Sequence, residues 1–448
     1  MFQKFEVHVP EFHDAVYDIT DYGAVGDEVH SNTGAFRKAM EAAVKTGGHV
    51  LVPDGIWLTG PICLKGGVDL HLADNALIVF DKNPEEYPVW KTDYEGTDRL
   101  RTVSPIHAEN AENIAITGNG VIDGSGHLWR PVKRMKVTEK EWKALLRRSP
   151  YTIPGHEGEI WMPSETIYEG QLHGEISPQA ENALELAAPY YDLYRPVMVR
   201  LDHCRRILIE NVTLQNSPAW CVHPFFCEDL TVRGVTVYNP YYAQNGDGID
   251  VESCRNVEIA CSKFNVGDDG ICIKSGKNKE ARKIPGPSEN IYIHHCHVGH
   301  SHGGFVVGSE MSRGVRNILV EDCTFTDTDV GLRFKSAIPR GGVVEDITIR
   351  RVNMLNIKEQ AAIFTMNYVL NINGTDEAAA GAESEEDIPV FHDIFIEDCT
   401  CLHARQAVRI QGLKREKPVI YNIRFRNFNC VAEEENVLED CSDVVFEP

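Results

Sequence analysis

A short pattern recurs eight times along the second half of the chain: a polar anchor followed by alternating apolar residues. Arg206-Ile207-Leu208-Ile209 and Asn290-Ile291-Tyr292-Ile293 are two examples, and the other anchors are Asp229, Asn256, Asn317, Asp346, Asp393 and Asn422. The anchors lie 23 to 34 residues apart, save one interval of 47, and the two longest intervals contain Gly-, Pro- and charge-rich inserts at 276–289 and 371–389. Apolar alternation at a period of two marks strands, not helices. Units this short cannot bury a face alone, so they must stack. The pattern predicts an all-β solenoid, most simply a parallel β-helix, because the blades of a propeller need ~40 residues or more. Val212, Val235, Cys296, Cys323, Val352, Cys399 and Phe428 each lie six residues after an anchor, and their small or apolar side chains suit an inward-facing ladder.

A solenoid has no reason to divide at the usual domain size, so residues 1–448 are read as one repeat domain. Residues 34–46 form an amphipathic helix pattern with Asn32 and Thr33 as candidate caps. This helix, within a cap region at 1–60, would cover the open end of the stack. The stretch 127–195 breaks the repeat and contains Trp129, Trp142, Trp161, Tyr151, Tyr168, Tyr190, Tyr191 and Tyr194. It is either an excursion with its own small core or an aromatic wall of a binding cleft.

The net charge of −23 argues against nucleic acid or an anionic membrane as the main partner. A small anionic ligand is compatible with it if cations are concentrated locally. Thirteen cysteines, an odd number without close pairs, read as buried thiols rather than disulfides. The N-terminus has no apolar leader segment and nothing later resembles a membrane span, so a soluble, cytoplasmic protein is expected. No Cys-x-x-Cys pair occurs, and His294-His295-Cys296-His297 alternates between strand faces, so neither a metal nor a cofactor is expected.

Four polar segments stand out at coil spacing: Asn245-Gly246-Asp247, Gly267-Asp268-Asp269-Gly270, Ser301-His302-Gly303-Gly304 and Arg333-Phe334-Lys335-Ser336. Asp268 and His302 both lie twelve residues after an anchor, so they occupy equivalent places on adjacent coils. With ~4.8 Å between strands, four coils span roughly 15 Å, the length of two or three sugar units. Clustered carboxylates push at least one pKa up, leaving a protonated acid beside ionised bases. Glycosidic cleavage needs that division of labour. Gly246, Gly248, Gly267 and Gly270 suit sharp turns that let a substrate approach the backbone. Arg333 and Lys335 project from one strand face with Phe334 turned inward, which suits a substrate carboxylate or, alternatively, a structural pairing with the aspartates.

These four segments, together with Asn216-Ser217-Pro218-Ala219-Trp220, His223-Pro224 and Asp21-Tyr22-Gly23-Ala24-Val25-Gly26-Asp27, resemble the polygalacturonases of glycoside hydrolase family 28. Members are right-handed, single-stranded parallel β-helices that hydrolyse pectin. The resemblance implies an inverting hydrolase of α-1,4-galacturonosidic bonds in which Asp268 donates the proton and Asp247 with Asp269 activates water. It implies that His302 supports this network and that Arg333 and Lys335 bind a galacturonate carboxylate, with His223, Asn245 and Glu310 as further substrate-binding positions. Gly246, Ser301 and Phe334 depart from the family's motifs without removing a group that the chemistry needs.

The segment 301–310 looks like that of bacterial exo-acting members, and the 127–195 insert could block one end of the cleft. Together these favour trimming of oligogalacturonides from the non-reducing end. Rhamnogalacturonan or another pectic uronide is the rival substrate. A calcium-dependent lyase and a non-catalytic glycan-binding β-helix are the readings from other classes.

Overall fold

The computed structural model describes residues 2–368 and 382–448. The chain winds into a parallel β-helix. Thirteen parallel strands form one continuous sheet, from Val16–Asp18 through Arg205–Glu210 and Ser288–His294 to Ser442–Glu447, while the strands on the other sides of the coils are assigned to a second sheet of 21. All eight anchors lie in the first sheet with positive φ, between 50° and 58°. Asn and Asp tolerate this left-handed conformation better than most residues, which explains the anchor's chemistry. The anchors also bond from coil to coil: Asn256 Nδ2 donates to Asp229 Oδ1 (3.1 Å), Asn290 to Asn256 (3.0 Å) and Asn317 to Asn290 (2.7 Å). The ladder six residues on lies in the main core as expected, apart from Phe428, which packs against the core's edge.

Helix α1, Thr33–Ala43, inserts Phe36, Ala39, Met40 and Ala43 into that core at the N-terminal end of the stack. Asn32 does not cap it. Its Oδ1 accepts from Val25 N–H and its amide donates to the carbonyls of Val25, His30 and Leu58, so it ties the loop to the first coil instead. All thirteen thiols are free, and nine are buried.

Two antiparallel elements interrupt the winding. Strands β1 (Val89–Tyr94) and β2 (Thr97–Thr102) form a hairpin. The 127–195 insert holds a small antiparallel sheet and helices α2 (Glu139–Arg148) and α3 (Glu165–His173). Trp142 and Trp161 build a local core with Val132 and Val137, and Trp129 packs with Tyr87 and Val103. These indoles are buried, so they are not an open stacking wall. Of the 371–389 insert, 371–381 lies outside the described residues. Asp387 in the remainder is buried and paired with Arg282, not solvated.

Candidate active site

Four strands of successive coils carry the floor of the site: β3 (Ile249–Glu252), β4 (Asp269–Lys274), β5 (Gly303–Val307) and β6 (Val330–Lys335). Their inward residues, Ile249, Ile271, Phe305, Leu332 and Phe334, belong to the core, so alternate residues face outward. Registers Ile249↔Ile271 and Asp269↔Gly303 place Asp247 beside Asp269 and Asp268 beside His302. The backbone N–H of His302 donates to the Asp268 carbonyl at 2.8 Å. Carboxylate oxygens of Asp247, Asp268 and Asp269 lie within 4.8 Å of one another.

The glycines beside these acids meet a different need from the one expected. None of Gly246, Gly248, Gly267 and Gly270 takes a positive φ; Ala243, three residues upstream, crowds Gly246, and a neighbouring coil crowds the other three. A Cβ on Gly267 would lie 2.6 Å from the carbonyls of Ala243 and Pro240, and one on Gly248 would lie 2.4 Å from that of Gly270.

The three acids have different environments. Asp269 is buried, with Lys335 Nζ at 2.7 Å from Oδ2 and Arg333 Nη1 at 3.3 Å from Oδ1. Burial raises its pKa, but these cations outweigh that and hold it low. Asp268 is also held low: against burial stand the His302 imidazole, 3.2 Å away, and the charges of Lys335 and Arg333. Asp247 is pushed well up, first by burial and then by Asp268, Asp250 and Asp269, and its Oδ1 has no hydrogen-bond partner. Of the three, Asp247 is therefore the acid that its surroundings make hardest to ionise. Burial and Lys136 oppose the charging of His302, but Asp268 prevails and raises its pKa. Lys136 Nζ, from the 127–195 insert, lies 3.3 Å from His302 Nε2.

The remaining sequence-derived positions divide. Asn245 stands at the rim, with its Oδ1 accepting from Arg195 Nη2 (2.9 Å); Arg195 also donates to the carbonyls of Pro218 and Gln244. Lys136 and Arg195 are thus the side chains of the insert that contact His302 and Asn245. His223 lies behind the floor. It is fully buried, its Nδ1 accepting from Arg200 (2.8 Å) and its Nε2 donating to Glu252 (2.9 Å), and burial with Arg200 keeps it neutral. Glu310 is buried too, paired with Lys274 at 3.0 Å. Both are covered by charge partners, so neither offers an exposed surface.

Three features of the site escape sequence reasoning. Lys274 lies 3.7 Å from Asp250 and 4.9 Å from the Trp220 ring centroid; the alternation of Ile271 and Ile273 with Cys272 and Lys274 marks it as outward-facing. Tyr368 places its ring 4.8 Å from Lys335 Nζ and 5.7 Å from the Arg333 guanidinium. The β1–β2 hairpin folds over the coils, and Tyr94 packs on Trp220 with ring centroids 4.4 Å apart. At its tip Gly96 fits so closely that a Cβ there would lie 2.1 Å from the Lys277 nitrogen, so the hairpin rests against the coil that follows β4. The Glu95-Gly96 pair between two short polar stretches was the available signal, but those stretches lack the apolar alternation of core strands.

Among the described residues, Asp247, Asp268 and Asp269 are also the acids grouped closely enough to hold a metal ion. Lys335 and Arg333 already supply positive charge to Asp269 there. A cavity of about 1100 Å³ lies elsewhere, between the N-terminal segment and the outer face of the first sheet. Its Arg350 pairs with Glu321 and its Arg426 with Glu397, and it contains none of the clustered acids.

A β-helix with three stacked acids beside two cations defines a carbohydrate-active class of site. The profile of "Glycosyl hydrolases family 28" matches residues 192–383. The exopolygalacturonase of Thermotoga maritima, a solved structure, shares 30% identity and a TM-score of 0.78 over 98% of this chain and 94% of its own. An exo-poly-alpha-D-galacturonosidase of Dickeya chrysanthemi is 31% identical over 368 residues, covering 80% of this chain. The chain spans 58% of that relative's length. The Yersinia enterocolitica family 28 exopolygalacturonase, at 21% identity and a TM-score of 0.71 over 96% of this chain and 78% of its own, shares the fold. The chain belongs to glycoside hydrolase family 28.

Proposed function

We propose that the chain hydrolyses α-1,4-galacturonosidic bonds of pectin-derived oligogalacturonides, releasing galacturonate from the non-reducing end with inversion. The observation that carries this reading is the juxtaposition of three stacked carboxylates with Arg333 and Lys335 on a floor closed at one end by the β1–β2 hairpin. The names of the Dickeya and Thermotoga relatives support the exo mode.

The charge states suggest how the substrate arms the site. A galacturonate carboxylate bound by Arg333 and Lys335 neutralises two of the cations that hold Asp268 ionised. The pKa of Asp268 then rises towards that of Asp247, and the shared proton moves to Asp268. Asp268 protonates the departing glycosidic oxygen. Asp247, now ionised, and Asp269 hold the attacking water and take its proton. His302 positions Asp268 throughout, and Lys136 fixes the imidazole from the far side.

Proton NMR of an oligogalacturonide digest tests this scheme. Inversion gives the β-anomer as the first product, whereas an α-anomer would turn one aspartate into a nucleophile. An ultraviolet-absorbing product lost on chelation would mean a lyase, and turnover of rhamnogalacturonan alone would replace the substrate.

A further inference from the structure

The closed end of the floor carries a carboxylate that no protein group satisfies. Glu95 is the first of the two residues in the β1–β2 turn, at φ 56°, a conformation that Asn or Gly takes far more readily than Glu. Its neighbour Gly96 rests on Gly276–Lys277, so the turn presses Glu95 against the coils. The half-buried carboxyl is pushed up by its burial and by Glu310, with Lys277, Arg101 and Lys274 opposing. Neither Glu95 oxygen has a hydrogen-bond or ion-pair partner among the described residues. Further buried side-chain oxygens have no hydrogen-bond partner: both of Asp250, with Lys274 Nζ 3.7 Å from Oδ1, Oδ1 of Asp247 and Oε1 of Gln244. Unsatisfied buried acceptors are costly, and a group of them without matching donors points to a ligand that brings donors. A sugar brings hydroxyls.

Glu95 and these oxygens thus lie under the hairpin beside Lys274, Lys277 and Arg101, and the cations Arg333 and Lys335 lie further along the coils towards the C-terminus. We propose that Glu95 recognises the chain end by accepting a hydrogen bond from the C4 hydroxyl of the non-reducing terminal galacturonate. In an α-1,4-linked chain every internal residue has its C4 oxygen in a glycosidic bond, so the terminal residue alone can donate there. Glu95 thus adds chemical selection for ends to the steric closure made by the hairpin. This inference rests on the reading of the chain as an end-acting galacturonide hydrolase.

The test compares trigalacturonate with a trimer whose terminal residue is the 4,5-unsaturated uronate, which lacks the C4 hydroxyl. Wild type loses roughly tenfold to a hundredfold in kcat/KM on the unsaturated trimer, the size expected of a hydrogen bond to a charged acceptor. Glu95→Ala loses a similar factor on the saturated trimer, mainly in KM, and its preference falls to near unity. Glu95→Gln, which keeps the shape and one acceptor oxygen, retains part of the preference; a wild-type melting temperature in both variants guards against misfolding. Equal cleavage of the two trimers by wild type, or an unchanged preference in Glu95→Ala, overturns the role of Glu95. If wild type releases mixed oligomers or cleaves no galacturonan, the underlying reading fails and this inference with it. Monomer release with an unchanged preference in Glu95→Ala removes Glu95 alone.

Discussion

Asp247 and Asp268 are the same amino acid one coil apart, yet their pKa values are pushed in opposite directions, because burial among acids differs from burial beside His302 and two cations. Replacing Asp268 with Asn removes the proposed proton donor and is expected to lower kcat by about 10²- to 10⁴-fold with little change in melting temperature, measured by reducing-end release. A second residue-scale expectation concerns Cys63. The hydrogen bond from His107 on the adjacent strand and the Lys65 charge outweigh burial and bring its thiol down to about 7. Cys63 should therefore alkylate with a midpoint near pH 7, and His107→Gln should shift that midpoint towards the ordinary thiol range, as read by pH-dependent iodoacetamide labelling. At this scale the sequence carried the acids, His302, Arg333 and Lys335, because motif spacing equals coil spacing. His223 and Glu310 were less legible: strand alternation says that a side chain leaves the core, not what then covers it.

Elements hold these residues in place. The Phe334 ring stacks on Phe364 with centroids 4.5 Å apart, directly behind Arg333 and Lys335. Phe334→Ala should cost about 3–5 kcal/mol in denaturant unfolding. The β1–β2 hairpin brings Asp93 close to Glu252 on β3. Burial, followed by their mutual repulsion for Asp93, lifts both carboxyls to about 7. With folded values above unfolded ones near ~4, the native state keeps protons that the unfolded chain releases, so this contribution to stability falls as pH rises from about 4 to 7. Asp268, Asp269 and Glu310 are depressed instead; their contribution is present above ~4 and is lost below it. The melting temperature should therefore decline between pH 5 and 7.5, and Glu252→Gln should flatten that decline. The hairpin was not legible in the sequence because its strands pair only with each other and carry charge on both sides of the turn, so no repeat or apolar alternation announces them.

For the whole molecule, the architecture was readable because each coil repeats one physical solution: an Asn or Asp in a left-handed turn, an apolar strand and a small residue turned inward. Departures from the repeat hold what the repeat cannot encode. The 127–195 insert supplies Lys136 and Arg195, and the hairpin supplies the closed end. An uninterrupted solenoid would present an open groove, whereas the proposed function takes the hairpin to wall off one end of the floor. The most direct test of that central claim is the product profile on oligogalacturonides of defined length, followed by chromatography from the first seconds. End-closed hydrolysis predicts galacturonate monomer and a substrate shortened by one unit at the earliest time point, for every chain length. Intermediate oligomers of mixed length at that point would contradict it.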